Sequence, residues 1–111
     1  MSLARMIVIG LAVTAVACSD STGSGSTGGR STTITVGNNF FTPSPDTMAA
    51  GQVTFTWAGS GHNVTWLTGP SAPTNSNTLS SPNTYQATLV VGTYTYHCTV
   101  HAGMNGTIVV Q

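Results

Sequence analysis

The sequence predicts an all-β domain, an antiparallel sandwich or barrel, and three observations carry that expectation. From Ser31 onward apolar and polar residues alternate with a period of two. The alternating runs are rich in Thr, Val and aromatics, and Gly- and Pro-containing clusters separate them. No segment from Ser31 to Gln111 carries an apolar stripe at helical spacing. Short strands punctuated this often fit two packed layers or a closed sheet.

Taken in order, Thr32–Val36 (TTITV) reads as a first strand, followed by turn chemistry in TPSPD (Thr42–Asp46) and in AAG ending at Gly51. In Gln52–Trp57 (QVTFTW), Val53, Phe55 and Trp57 share one face and Thr54 and Thr56 the other. After Gly59–Gly61 (GSG), the run His62–Leu67 (HNVTWL) reads as one strand that turns His62, Val64 and Trp66 inward, and TGPSAP (Thr68–Pro73) ends it. Thr84–Val91 (TYQATLVV) and Thr93–Cys98 (TYTYHC) read as a hairpin through Gly92, and Gly106–Val110 (GTIVV) closes the chain. In TYTYHC the positions Tyr94, Tyr96 and Cys98 share a face that the aromatics mark as the inner one. His97 then points the other way, as a histidine of the surface or behind a ligand, and Met48, with no partner cluster, reads as core.

A chain of 111 residues holds one domain. Only 4% of it is charged, and Asp46 is the single charged residue from Ser31 onward. With 40% hydrophobic residues this is a folding composition and not a disordered one. The formal net charge of zero excludes electrostatic binding of nucleic acid, which needs a basic surface.

Residues 1–18 read as an export signal, with Arg5 as the positive region and Met6–Ala17 as an apolar run too short to span a bilayer. Ala15 and Ala17 suit ordinary signal cleavage, while a cysteine directly after them resembles the lipobox of bacterial lipoproteins, with Ala15 where Leu is usual. The second reading gives Cys18 a purpose: it becomes the lipidated N-terminus and holds the protein to a membrane. Residues 19–30, rich in Gly, Ser and Thr, form a flexible tether, and the domain occupies 31–111. A disulfide is the competing use of two cysteines in an exported chain, but it would pin the tether to the domain.

The chemistry concentrates in Tyr96–Gly106 (YHCTVHAGMNG), where Cys98, His101 and Met104 recur every third residue in what reads as a tight loop between two strands. The alternation also places His62 inward at a strand end. Together these residues offer a thiolate, two imidazoles and a thioether. Zinc accepts Cys and His but rarely a thioether, and calcium needs oxygen donors that one Asp does not supply. Covalent haem attachment needs a CxxCH motif, which is missing. Two His and one Cys with a weak Met is the donor set of a blue-copper centre.

HNVTW followed by YTYHCTVHAGMNGTIVV resembles the cupredoxins, the group of small type 1 blue copper proteins that includes plastocyanin, pseudoazurin and amicyanin. VGNNFFTPSPDTMAAGQVTFTW is similar to the N-terminal half of such domains, so the resemblance runs from about Thr32 to Gln111. It implies a Greek-key β-sandwich and one copper ion cycling between Cu(I) and Cu(II). His62, Cys98 and His101 would be the equatorial ligands and Met104 the axial one. Asn63 would match the family residue that steadies the thiolate and ties two loops together. Many members carry Pro between the Cys and His ligands, where this chain has Thr99 and Val100.

The implied function is one-electron transfer between redox partners outside the cytoplasm, in the periplasm or at the cell surface, by a monomeric domain. His101 would be the ligand whose edge reaches the surface. With Val100, Ala102 and Gly103 around it and no charge near, partners would dock transiently on an apolar patch. Two other classes use the same residues: a copper storage or delivery protein, and a non-redox β-sandwich lipoprotein that binds something else. An enzyme is disfavoured, because four protein ligands leave no position for substrate, and the sequence contains no Ser/His/Asp set or paired carboxylates.

Overall fold

The computed structural model describes residues 29–111, and among these there is no helix. The export segment 1–18, Cys18 and tether residues 19–28 lie outside the described residues. Eleven strands form: β1 (Gly29–Arg30), β2 (Thr33–Gly37), β3 (Phe40–Thr42), β4 (Asp46–Met48), β5 (Gly51–Trp57), β6 (Ser60–His62), β7 (Thr65–Thr68), β8 (Leu79–Ser80), β9 (Thr84–Leu89), β10 (Gly92–His97) and β11 (Asn105–Val110). They make a five-stranded sheet in the order β1-β4-β11-β10-β7, a four-stranded sheet in the order β3-β2-β5-β9, and a small pair, β6-β8. The first strand starts two residues before Ser31 and pairs with β4.

Two packed sheets are what the alternation predicts, and the inner positions fall where it puts them. Val53, Phe55 and Trp57 of β5 are buried, as are Tyr94 and Tyr96 of β10 and Ile108 and Val110 of β11. The sheets interlock through aromatic edges. Phe55 meets Tyr96 at 5.3 Å and Trp66 at 6.0 Å between ring centres, and Phe41 meets Tyr96 at 4.7 Å, all edge to face. Such pairs each add about 0.5–1.5 kcal/mol beyond the area they bury. Met48 is in this core, as expected.

Pairing within the sheets differs from the antiparallel expectation. Both are mixed, since β2 runs parallel to β5 and β4 runs parallel to β11 and β1. Period-two alternation reports which face a residue takes but not which distant strand lies beside it, so parallel partners are invisible to it.

The expected hairpin of Thr84–Val91 with Thr93–Cys98 does not form. Strand β9 pairs with β5 in one sheet while β10 pairs with β11 and β7 in the other, so Val90–Gly92 arches across the sandwich. Each strand buries a face, Ala87 and Leu89 on one side and Tyr94 and Tyr96 on the other, and crossing between sheets brings both faces to one core. Gly92 turns the corner at φ 147°, and the Tyr94 hydroxyl accepts the Val90 N–H at 3.1 Å.

HNVTWL is likewise not one strand. It breaks at Asn63–Val64 into β6, which pairs with β8, and β7, which pairs with β10. Along the break His62, Asn63 and Val64 are all buried, which no regular strand with one solvent face allows. Val64 exchanges its backbone groups with Ser76 instead of a strand partner, at 2.7 Å and 2.9 Å.

Candidate metal centre

Break and arch together bring two remote stretches to one end of the sandwich. His62 ends β6, 1% exposed, and the Trp57 indole N–H holds its carbonyl at 2.8 Å. Its Nε2 faces the amide oxygen Oδ1 of Asn38 at 2.9 Å, so Nε2 carries the proton. Nδ1 is therefore left with a free lone pair, buried and without a hydrogen-bond partner. Burial, and secondarily the nearby His101, lowers the pKa of this imidazole and keeps it neutral.

Cys98 follows the last residue of β10 and is a free, buried thiol, 2% exposed. Its Sγ accepts the backbone N–H of Val100 at 3.4 Å and of Asn63 at 3.5 Å. The loop after it closes tightly: the Cys98 N–H meets the Met104 carbonyl at 3.0 Å, and the Met104 N–H meets the His101 carbonyl at 3.4 Å. This folds His101 back until its Nδ1 is 3.9 Å from the Cys98 sulfur. The His62 and His101 rings lie 4.6 Å apart between centres. Met104, 1% exposed, packs beneath the loop immediately before β11.

Asn63 joins the two stretches. Its Oδ1 accepts the Thr99 N–H at 3.0 Å and the Thr65 hydroxyl at 3.0 Å, and its Nδ2 donates to the Thr99 hydroxyl at 2.7 Å and to Thr78 at 3.3 Å. Thr99 thus gives the loop a backbone donor and a hydroxyl acceptor where a proline would have neither. His97, facing away from Cys98, is half-buried and outside the cluster.

One donor atom each from His62, Cys98 and His101 can be chosen so that all lie within 4.8 Å of one another. A buried imidazole nitrogen with no partner, on a ring clustered with a cysteine sulfur and a second imidazole, is unsatisfied unless it binds something electron-poor. The donor set suits copper: soft sulfur with borderline nitrogen, no carboxylate, and a thioether close by. Sequence reasoning missed Asn38, Trp57 and Thr99 as supports. Asn38 reads only as a turn residue, and nothing in local patterning reveals a contact to a position 24 residues away.

A β-sandwich holding a buried mononuclear Cys/His cluster next to a Met at one end defines a cupredoxin. The family model for copper binding proteins, plastocyanin/azurin family, matches residues 29–111, and the chain belongs to that family. No curated protein sequence matches the chain. Among solved structures, the oxidised form of plastocyanin from Dryopteris crassirhizoma is 30% identical, covering 71% of this chain and 99% of that one with a TM-score of 0.59. A proline-to-glycine mutant of amicyanin in its reduced Cu(I) form at pH 4 is 27% identical, covering 71% and 80%, with a TM-score of 0.59. The Cu-containing nitrite reductase of Thermus scotoductus SA-01 superposes with a TM-score of 0.65 at 23% identity over 71% of this chain, which spans 22% of that enzyme and so shares its fold.

Proposed function

We propose that this protein is a one-electron carrier. The observation that carries the reading is the clustering of His62, whose Nδ1 is buried and unpartnered, with Cys98 and His101 in a chain of the copper-binding plastocyanin/azurin family. His62, Cys98 and His101 would hold the copper ion, with Met104 as a weaker fourth donor and Asn63 keeping the surroundings of the cysteine sulfur in place. Bound copper supplies a one-electron couple between Cu(I) and Cu(II). The matched plastocyanin is described in its oxidised form and the amicyanin in its reduced Cu(I) form, which supports the same cycle here.

The chain's own residues supply the rest. Because Nε2 of His62 is hydrogen-bonded, the ring presents one fixed nitrogen. The Asn63–Thr99 clasp holds Cys98 to the His62 segment, so the donors keep one arrangement in both oxidation states and little rearrangement is needed per transfer. His101 is half-buried in a loop whose Val100 is 52% exposed and whose Ala102 and Gly103 are exposed. A partner docks here, on an uncharged apolar surface, in a transient encounter that buries little area.

The protein works outside the cytoplasm, in the periplasm or at the cell surface, held to a membrane through Cys18. Arg5, the apolar run Met6–Ala17 and the cysteine that follows support this placement.

Copper decides between the readings. Addition of Cu(II) to the purified domain should produce an intense visible thiolate-to-copper band that Cys98→Ser abolishes and Cys18→Ser preserves, with reversible voltammetry. A colourless copper complex, or one that exchanges electrons only sluggishly, would favour storage or delivery. Stopped-flow electron exchange should hardly vary with ionic strength, whereas a steep dependence would remove the apolar docking surface.

A further inference from the structure

We infer that Asn38 is a positioning residue of the metal centre, and that Gly59 is a glycine because the Asn38 side chain occupies the space a Cβ would need. The inference rests on the copper reading for its function, but its structural half stands without metal. Asn38 and Asn39 form the two-residue turn between β2 and β3, set by the Gly37–Phe40 register, with Asn39 in the left-handed region at φ 71°. The turn is exposed, yet the Asn38 amide reaches inward and caps the Nε2 edge of a histidine that is itself 1% exposed.

An amide oxygen can only accept a hydrogen bond. Facing Nε2, it requires the proton there and so leaves Nδ1, buried and unpartnered, as the lone pair free to bind a metal. Water in the same place could donate or accept, and would leave both the tautomer and the ring orientation free. Asn38 removes that freedom before metal arrives.

Gly59 shows that the placement is built. It is buried, and its backbone N–H bonds the Val36 carbonyl at 3.2 Å, fixing it against the end of β2. A Cβ on Gly59 would lie 2.3 Å from Asn38 Oδ1 and 3.0 Å from its Cγ. Any larger residue there must displace the amide from His62. The backbone at Gly59 is not in the left-handed region, so the requirement for glycine is one of space.

The test uses copper-free and copper-loaded full-length protein with Asn38→Ala, Asn38→Asp, Gly59→Ala and the Asn38→Ala/Gly59→Ala double variant. Nitrogen NMR of the copper-free protein should show His62 as the Nε2–H tautomer in the wild type and in Asn38→Asp, which keeps the acceptor oxygen. Asn38→Ala and Gly59→Ala should show mixed tautomers. Copper affinity should fall about tenfold or more in Asn38→Ala and Gly59→Ala, the range typical of lost partners behind a ligand, with recovery in Asn38→Asp. In the double variant Gly59→Ala should add far less than it costs alone, with the Asn38 backbone N, 3.1 Å from such a Cβ, as the near contact that remains. An unchanged tautomer in Asn38→Ala, or a Gly59→Ala effect equally large when Asn38 is already gone, would overturn the inference. A wild type that takes up no copper but shows the predicted tautomer pattern would instead sink the electron-carrier reading and leave the positioning contact standing.

Discussion

Buried polar atoms meet different fates in two regions of this molecule. At the metal pole the backbone N–H and both side-chain polar atoms of Asn63 are tied to neighbours, and the unpartnered atom, Nδ1 of His62, belongs to a ring clustered with Cys98 and His101. In the wall of the larger sheet, Asp46 Oδ2 and Tyr96 Oη are buried without partners. Burial raises the pKa of both groups, and the Asp46 charge raises that of Tyr96 further. An unsatisfied polar atom costs about 1–3 kcal/mol wherever it lies. At the pole a ligand can recover that cost; in the wall it remains a loss. The same defect is a binding site in one setting and a weakness in the other, and the surrounding donors make the difference.

The largest expected effect separates the regions by adding metal. Free copper at a hundred times the dissociation constant should stabilise the wild type by about 2.7 kcal/mol, read as a rise in melting temperature. Cys98→Ser should lose that response. An equal copper-induced shift in Cys98→Ser would mean that the metal binds elsewhere, and the contrast between pole and wall would collapse.

Asn63→Ala sharpens the comparison next, by creating at the pole the kind of defect the wall already contains. It deprives the Thr99 N–H of its acceptor at 3.0 Å and unties the His62 segment from the Cys98 loop. Urea denaturation of the copper-free protein should show a loss of about 1–3 kcal/mol. Thr99→Val, which removes only the hydroxyl partner, should cost less. A loss in Asn63→Ala no larger than in Thr99→Val would show that the backbone contact contributes nothing.

How much of this was legible in the sequence depends on distance along the chain. Faces of strands were readable because alternation is local: Val53, Phe55, Trp57, Tyr94 and Tyr96 are inside as their positions imply. The Cys98–His101–Met104 loop was readable because its three side chains lie within one turn-sized segment. His62 was readable as an inward strand end, although the strand behind it breaks one residue later. What escaped was pairing. The parallel neighbours β2–β5 and β4–β11, the arch at Val90–Gly92 and the reach of Asn38 to His62 all join residues that no local period relates. A short break such as that at Asn63–Val64 is set by the Asn63 side chain's partners at Thr99, 36 residues away, and not by its neighbours.

The smallest expected effect probes the wall. Asp46 is the only acidic side chain from Ser31 onward, which makes its titration unusually easy to isolate. Burial raises its pKa in the folded protein, opposed by the backbone N–H groups of Ser31 and Thr47, while the unfolded carboxyl titrates near 3.8. Between those two values the folded state binds more protons than the unfolded one, so this group's contribution to stability is complete below 3.8 and declines as pH rises through the folded pKa. His62 works the other way. Its lowered pKa means the unfolded ring takes up a proton first, so copper-free stability falls as pH drops below about 6.5. Asp46→Asn keeps an oxygen for the Ser31 N–H at 2.9 Å and removes the charge, while leaving the second buried position unpaired. The variant should therefore be modestly more stable than the wild type at pH 7, with the difference shrinking towards pH 4, and the His62-dependent loss should be the same in both. Stability curves that run parallel across this range would show that the carboxyl titrates alike in the folded and unfolded chains, so that burial does not raise its pKa.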